Sequence, residues 1–493
     1  MADSQVAATA APKPGGKTIG LVLGLVVAGL IAVLPPPEGL SREGWTVVAL
    51  AAVMAIWWAT EAIPIPVTSL LPLVVLPLTG ATTMGEAAAP YARPVVFLLL
   101  GGFIIATALE RWNLHKRIAL NIVVRVGQHP GALIGGFMAA TALLSMWISN
   151  TATTLMMVPI ALSVASTVAN AGAADKAPYP PFTVALLLGI CYSASIGGLA
   201  TPVGTPTNLL AMGFLEDNLG EPLAFAQWML FGVPVTAVML PIVWLVLTRV
   251  AFRLRVSDAG GGQAVVRQAL QGLGRITTPE VRVALVFSVV ALAWMFRKLI
   301  IDIPGLERLT DPSIAIAGAV AMFLVRSGDR SGRGDTLLDW DSAVRLPWGI
   351  VLLFGGGLSL AAAITGTGLA AWAGDQLSGL TTLSLFFFIM ALVALVIFAT
   401  ELTSNTATVA ALLPVLGAIA AAGGGDPILL AAPVAMAASC AFMLPVATPP
   451  NAIVFGSGRV TIPQMIRAGL WLNMLGIIVI TTLCYLLIPA LFG

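Results

Sequence analysis

The chain contains the stretch SNTATTLMMVPIAL at residues 149–162 and a near copy of it, SNTATVAALLPVLG, at residues 404–417. Two further pairs of similar stretches flank them in the same order: LLLGGF (98–103) with LLFGGG (352–357), and GTPTNLL (204–210) with ATPPNAI (447–453). One short match can arise by chance, but an ordered set of matches predicts an internal repeat. We place the two halves at 44–250 and 281–493.

The chain is strongly apolar. Of its 493 residues, 58% are hydrophobic and only 9% are charged, and the mean hydropathy is +0.99. Apolar stretches of about 17–25 residues, the length that crosses the hydrocarbon core, recur from end to end. The sequence therefore predicts an all-α polytopic membrane protein in contact with the lipid bilayer. The net charge of +2 and the lack of a basic domain give no indication of nucleic acid binding.

Hydropathy predicts about eleven transmembrane helices and two re-entrant helical hairpins, which we place at 130–168 and 382–422. The other predicted segments are a cytoplasmic tail (1–17), a first span with an external loop (18–43), the scaffold spans of each repeat, a broken helix (182–214) and a span (226–250) in repeat 1, a cytoplasmic linker (251–280), and a broken helix (427–458) and a last span (464–491) in repeat 2. The linker either holds a short amphipathic helix on the membrane surface or is an ordinary connection.

Loop charges predict the orientation. If each hairpin enters and leaves on one side, the N-terminus is cytoplasmic and the C-terminus is external. All but five of the 24 Lys and Arg residues then lie in cytoplasmic segments, which is a strong positive-inside bias. The five exceptions are Arg42, Arg93, Arg297, Lys298 and Arg308. The first span is interpreted as an uncleaved signal anchor.

An odd number of crossings between the two copies predicts that the second repeat is inverted, as in many secondary transporters. The stretches GGLATPVGTPTN (197–208) and LPVATPPN (444–451) contain prolines, which cannot continue a helical hydrogen-bond ladder. Backbone freed in this way at membrane depth must line a cavity or be buried in protein. We therefore expect unwound helices near the midplane in both repeats, with a plain proline kink as the alternative interpretation of each.

The two Ser-Asn-Thr motifs supply hydroxyls and carboxamides without charge. Such hard oxygen ligands suit an exchangeable Na⁺ better than a transition metal. Ser145 precedes Ser149 by four residues, and Thr400 precedes Ser404 likewise, which predicts that each pair lies on one helix face. The alternative is a structural role, in which Ser and Thr bond back to the helix or Asn joins neighbouring helices. An anion beside these motifs would be held by hydroxyls, amides, helix N-termini and the bound cations, so its affinity would depend on cations.

Few titratable residues compete with this interpretation. Glu61 and Glu401 are interpreted as structural, although either could bind a coupling ion. His115 and His129 lie in a polar stretch interpreted as a loop and predict no metal site. The three cysteines are interpreted as packing residues: Cys191, Cys440 and Cys484.

These residues resemble the divalent anion:sodium symporters. The resemblance is carried by the paired Ser-Asn-Thr motifs, by ASCAFMLPVATPPNAIV at 438–454 and by WWATEAIPIPVTSLLP at 57–72, and it covers nearly the whole chain. It implies a homodimer in which each protomer has a scaffold and a mobile transport domain, working as an elevator in a bacterial inner membrane. The sequence departs from the family's pattern at Thr207, where repeat 2 has Pro450.

The resemblance also implies where the ligands bind. A first Na⁺ site would use Ser145, Ser149, Asn150 and the Gly204 carbonyl. A second Na⁺ site would use Thr400, Ser404, Asn405 and the Ala447 carbonyl. The dianionic substrate would contact Asn150, Thr151, Thr205, Asn405, Thr406, Thr448 and Pro449.

The implied function is Na⁺-coupled uptake of C4-dicarboxylates such as succinate, malate or fumarate. Sulfate or citrate on the same scaffold, and a Na⁺-independent dicarboxylate exchanger, remain alternatives. A membrane-embedded enzyme would need a nucleophile, a base or a metal cluster in the bilayer, and the sequence indicates none, so we predict that the protein is not an enzyme. A channel would not need two closed, inverted cation sites.

Overall fold

The computed structural model describes residues 14–127, 129–171, 180–219, 222–254, 260–329, 335–377, 384–423 and 426–492. The regular elements in these ranges are helices, apart from one isolated bridge between Arg326 and Thr336. The all-α prediction is confirmed. Among the described residues, eight helices are long and apolar enough to cross a membrane, and seven shorter apolar helices accompany them. The number of crossings stays a prediction.

The helices alternate between long spans and short or interrupted segments. Those up to the linker are α1 (Pro14–Val33), α2 (Arg42–Thr60), α3 (Ile65–Thr68), α4 (Leu71–Thr79), α5 (Met84–Ala88), α6 (Pro94–Arg111), α7 (Leu114–Val124), α8 (Pro130–Ser145), α9 (Asn150–Ala171), α10 (Pro181–Gly197), α11 (Pro206–Leu219) and α12 (Phe225–Leu245). Those that follow are α13 (Gly260–Gly272), α14 (Thr278–Met295), α15 (Arg297–Ile300), α16 (Asp311–Leu324), α17 (Trp340–Ala343), α18 (Trp348–Gly366), α19 (Leu369–Leu377), α20 (Leu385–Thr400), α21 (Asn405–Gly423), α22 (Pro427–Ala438), α23 (Pro449–Gly456) and α24 (Ile462–Phe492).

Both predicted helix interruptions are present. The first lies between α10 and α11, where the chain makes a short 3₁₀ turn at Gly198–Ala200 and continues without helix to Pro206. The second lies between α22 and α23, where the chain is non-helical until Pro449. Each second half-helix begins with proline at its first position, where the missing N–H costs no helical hydrogen bond.

The Ser-Asn-Thr motifs lie at the turns of the two predicted hairpins, between α8 and α9 and between α20 and α21, and this corrects one premise of the prediction. We expected Ser145 and Ser149 on one helix face, and Thr400 and Ser404 on another. Instead, α8 ends at Ser145 and α20 ends at Thr400, and each following helix starts only after the serine of the motif. The four-residue spacing is therefore the length of a turn between helices. The break between the two helices, which spacing alone does not reveal, is the physical reason.

The chain divides into two compact units. The first comprises the described parts of 1–96, 210–222 and 347–438, and the second those of 97–209, 223–346 and 439–493. In the first unit, α18 passes close to the chain after α3: a methyl group on Gly355 would collide with the Tyr91 ring, and one on Gly356 with the Ser69 backbone. The Tyr91 hydroxyl donates to the Ser69 carbonyl. The glycine run of the repeat is thus a packing surface in this unit.

Helix α10 forms the centre of the second unit. Nearly all of its side chains are buried, and it packs against α8, α9, α12 and α23. A methyl group on Gly197 would overlap the backbone of Ala142 in α8, so the end of α10 and the hairpin are held in direct backbone contact. This close approach positions the first interruption beside the hairpin tip.

Two polar segments of the second unit form helices. The prediction that His115 lies in a loop is wrong, because it belongs to α7 and is buried, with Nδ1 3.1 Å from the Leu109 carbonyl oxygen. Burial lowers the pKa of this imidazole. The linker contains a helix, α13, which packs against α7 and α9 with Val266 fully buried, and its place on the membrane surface stays a prediction. Apolar residues on one face of each short helix explain why these polar stretches fold.

Candidate functional site

The first hairpin tip brings two predicted ligands together. The Ser145 hydroxyl, at the end of α8, donates to Asn150 Oδ1, at the start of α9, over 2.5 Å. Ser149 lies between them and is exposed, and its Oγ accepts from the N–H of Ala152 at 3.1 Å. Ser149 therefore caps α9 in the manner of a helix N-cap. The tip presents neutral oxygens next to the positive end of a helix dipole.

A glycine that the sequence analysis did not single out lies between the tip and the first unwound segment. A methyl group on Gly198 would be 2.9 Å from Asn150 Oδ1 and 3.0 Å from the Gly204 carbonyl oxygen. Gly204 in turn lies against the backbone of Gly198. Three of the four predicted ligands of the first Na⁺ site, those from Ser145, Asn150 and Gly204, thus converge around Gly198. In the sequence, the adjacent glycines at 197 and 198 were the feature that could have indicated this close approach.

An asparagine orders the backbone of each unwound segment. Asn208 Nδ2 donates to the Gly198 carbonyl at 2.9 Å and to the Thr201 carbonyl at 2.8 Å. These acceptors lie 10 and 7 residues before the asparagine. The first segment also receives the Trp228 indole N–H, which reaches the Leu199 carbonyl at 3.0 Å.

Asn451 repeats this arrangement in the second half of the chain. Its Nδ2 donates to the carbonyls of Ala441 at 3.1 Å and Leu444 at 3.0 Å, again 10 and 7 residues earlier. The Oδ1 atoms of Asn208 and Asn451 are buried and have no hydrogen-bond partner within the described residues. Each amide is therefore oriented by its donor end. The two asparagines supply the donors that a broken helix lacks.

The second hairpin tip differs from the first. The Thr400 hydroxyl bonds back to its own helix, at 2.9 Å from the Val396 carbonyl oxygen and 3.1 Å from that of Ile397. Asn405 Oδ1 is buried without a hydrogen-bond partner among the residues that the structure describes. A buried unpaired carboxamide oxygen is costly unless something binds it, and among the described asparagines with such an oxygen Asn405 is the one in a Ser-Asn-Thr motif, where its oxygen is available to a cation. Ser404 Oγ lies 3.5 Å from the Ala407 N–H, and Thr406 follows in the first turn of α21.

The remaining predicted substrate residues lie at half-helix starts. Thr448 Oγ accepts from the Asn451 N–H at 3.2 Å and caps α23, directly before Pro449. Thr205 is buried directly before α11. Thr151 lies in the first turn of α9. By unit, Thr400, Ser404, Asn405 and Thr406 belong to the first, and the predicted ligands Ser145, Ser149, Asn150, Thr151, Gly204, Thr205, Ala447, Thr448 and Pro449 belong to the second.

The two acids that could bind a coupling ion lie at helix ends. Glu61 is exposed and caps the C-terminus of α2 with a left-handed backbone (φ 47°). Glu401 is buried and caps the C-terminus of α20. Within the described ranges, no group of three or more His, Cys, Asp or Glu side chains could hold a metal ion. The possible cation ligands that converge near the first motif are neutral oxygens, which suit a hard monovalent cation.

Comparison with known proteins identifies relatives along nearly the whole chain. Residues 16–492 match the family described as the sodium:sulfate symporter transmembrane region. The chain is 41% identical over 481 residues to the sodium-dependent dicarboxylate transporter SdcS of Staphylococcus saprophyticus, covering 97% of this chain and 92% of that protein. It is 40% identical over 485 residues to SdcS of Staphylococcus aureus strain NCTC 8325, covering 98% and 93%.

Two solved structures share the fold. The Alcanivorax borkumensis YdaH transporter aligns with a TM-score of 0.57 and 15% identity, covering 97% of this chain and 98% of that chain. The Neisseria gonorrhoeae MtrF structure aligns with a TM-score of 0.58 and 16% identity, covering 97% and 96%. These likenesses extend the architecture to proteins of distant sequence.

Proposed function

Since this chain belongs to the sodium:sulfate symporter family, a family of membrane transporters, we propose that it couples the entry of Na⁺ to the uptake of C4-dicarboxylates. Succinate, malate and fumarate are the substrates we propose, and the bacterial plasma membrane is the location. The proposal is supported chiefly by the convergence of Ser145, Asn150 and the Gly204 carbonyl around Gly198. The name of the SdcS relatives supports the substrate class.

Charge explains why a cation is needed. The motifs contain no Lys, Arg or His, and a dianion in a region of low dielectric constant needs nearby positive charge. The N-termini of α9 and α21 contribute partial positive charge. Na⁺ bound to the neutral oxygens would supply the rest, so that the substrate binds well only after the cation. This order of binding would make transport Na⁺-dependent.

The finer features of the mechanism are also proposals. We propose a second Na⁺ site that includes Thr400, Ser404 and Asn405, supported by the buried and unpartnered oxygen of Asn405, and the resemblance adds the Ala447 carbonyl. The substrate residues named above, the homodimer, the elevator motion and the domain boundaries rest on that resemblance as well. With two Na⁺ ions, import of a dianion would be electroneutral.

The test is uptake of labelled succinate into proteoliposomes with an inward Na⁺ gradient. We expect Asn150→Ala and Asn405→Ala each to reduce uptake to the level of empty liposomes, because each removes a proposed ligand of both cation and substrate. Asn121→Ala is the matched control, since that side chain donates to the Arg117 carbonyl of its own helix at 2.8 Å, and we expect uptake within about twofold of wild type. Undiminished wild-type uptake without Na⁺ would refute the coupling.

Sulfate is the second candidate, because the family description names it. Competition in the same proteoliposomes distinguishes a dicarboxylate transporter from a sulfate transporter. Excess unlabelled fumarate should suppress succinate uptake, and excess sulfate or citrate should not. Strong suppression by sulfate, together with Na⁺-dependent sulfate uptake, would replace the dicarboxylate assignment. Counterflow of succinate in the absence of Na⁺ would instead identify an exchanger.

A further inference from the structure

The two unwound segments obtain their hydrogen-bond donors from different places. In the first segment (198–205), Asn208 and Trp228, both from repeat 1, donate side-chain hydrogen bonds to carbonyls. In the second segment (439–448), Asn451 of repeat 2 is a side-chain donor. Tyr192 of repeat 1 is another, and its buried hydroxyl donates to the Phe442 carbonyl at 2.7 Å. The second segment is therefore bonded to a side chain from the opposite repeat.

A sequence difference between the repeats accounts for this asymmetry. Gly232 and Gly469 have matching roles, because a methyl group would drive the first into the Leu199 carbonyl and the second into the Phe442 carbonyl. One helical turn before Gly232 stands Trp228, the donor to Leu199. One turn before Gly469 stands Met465, which has no N–H or O–H to donate. Tyr192 donates to Phe442 where the Met465 side chain cannot.

A second bond joins the same two regions. The hydroxyls of Thr207 and Ser439, both buried, lie 3.2 Å apart, and Thr207 Oγ is also 3.5 Å from Thr205 Oγ. Thr207 is the position at which repeat 1 departs from the TPPN of repeat 2. The departure therefore introduces a hydroxyl that bonds to the start of the second unwound segment. Proline at this position could not form the bond.

We propose that Tyr192 and Thr207 are positioning residues that attach the second unwound segment to the first repeat, and that this attachment sets the Na⁺ affinity of uptake. The inference deepens the proposed function and rests on it, because the attached segment carries Ala447 and Thr448, two of the proposed site residues. A non-helical segment lacks the regular backbone hydrogen bonds that hold the carbonyl groups of a helix in place. Side-chain donors from a packed neighbour fix them instead.

Hydrogen exchange of the purified protein tests the attachment without any transport measurement. Tyr192→Phe and Thr207→Val should each accelerate amide exchange in 439–448 by about 5- to 100-fold, the factor that corresponds to one lost bond at a buried polar group. Exchange in 198–205 should stay within about twofold. Trp228→Phe is the matched control, because it removes the equivalent donor of repeat 1 and should accelerate 198–205 only. Equal exchange of 439–448 in the wild type and both variants would overturn the attachment.

Transport kinetics test the consequence. In proteoliposomes, both variants should raise the Na⁺ concentration for half-maximal uptake by about 2- to 12-fold, the effect of one net hydrogen bond. Uptake at saturating Na⁺ should remain near wild type, whereas a general folding defect would lower the maximal rate at unchanged Na⁺ dependence. Thr207→Ser keeps the hydroxyl and should restore the wild-type curve.

Thr207→Pro guards against failure to fold. Pro450 occupies the equivalent second position of α23, so a half-helix of this kind accepts proline there. The Thr207→Pro variant should therefore fold and behave like Thr207→Val. If wild-type uptake depends on Na⁺, the inference is overturned when Tyr192→Phe, Thr207→Val and Thr207→Pro all show the wild-type dependence of uptake on Na⁺ concentration. If wild-type uptake does not depend on Na⁺, the proposed function fails, and the exchange measurement still decides whether the attachment exists.

Discussion

At the residue scale, Gly198 has a constrained place beside the proposed cation ligands. Its Cα faces both the carboxamide of Asn150 and the carbonyl of Gly204, with no room for a side chain. The backbone of Gly198 has a right-handed conformation that any residue can adopt (φ −59°). Glycine is therefore needed here for the close approach of its neighbours and not for its backbone conformation. The ligands can converge only because this position has no Cβ.

We expect Gly198→Ala to raise the Na⁺ concentration for half-maximal uptake by about 5- to 100-fold, the equivalent of about 1–3 kcal/mol of overpacking. The added methyl group would push Asn150 Oδ1 and the Gly204 oxygen apart. The measurement is uptake of labelled succinate against Na⁺ concentration. Gly456→Ala is the matched control, because a methyl group there meets nothing within 4 Å. Identical Na⁺ curves for the two variants would contradict a cation site at Gly198.

At the element scale, the structure depends on short helices that end against polar side chains. Gln263 of α13 is buried, and its Nε2 donates to the carbonyls of Val124 at 2.9 Å and Val126 at 2.8 Å, at the end of α7. These carbonyls lie at a helix C-terminus, where intrahelical donors are missing. One amide group thus satisfies the end of α7 and anchors α13 beside it.

We expect Gln263→Ala to destabilise this pair of helices by about 1–3 kcal/mol, because two carbonyls lose their donor. Tryptic cleavage after the exposed Arg125 should accelerate by about fivefold or more, since it requires local opening of α7. Gln268→Ala removes an exposed amide from the same helix and should leave cleavage unchanged. Equal cleavage rates for both variants would show that the amide does not anchor α13.

At the scale of the whole molecule, the inverted repeat and the loop charges predict opposite locations for the two termini. An odd number of crossings with a cytoplasmic N-terminus leaves the C-terminus outside. We expect green fluorescent protein to fluoresce when fused to the N-terminus of the full chain and to stay dark at the C-terminus. Alkaline phosphatase at the C-terminus should be active. A fluorescent C-terminal fusion would require an even number of crossings.

The local features of the site could be predicted from the sequence. The prolines at 202 and 206 predicted the first interruption, and the repeat predicted its partner, because helix-breaking chemistry and periodic apolarity are local properties. The predicted relation of Ser145 to Ser149 was wrong, because a continuous helix was assumed where α8 ends and α9 has not begun. The sequence could not reveal that Gly198 lies against both Asn150 and Gly204, since that depends on how the helix end packs against a distant part of the chain.

The sequence by itself determined that this is an all-helical membrane protein with two related halves, two uncharged Ser-Asn-Thr motifs and membership of a sodium:sulfate symporter family. The tertiary structure alone decided which atoms meet: Asn150 with Gly204 around Gly198, Gln263 with the end of α7, and Tyr192 with Phe442. The physical reason is that composition and spacing report the polarity and helical tendency of neighbours along the chain. A hydrogen bond between residues 250 positions apart depends on packing that brings the two repeats together.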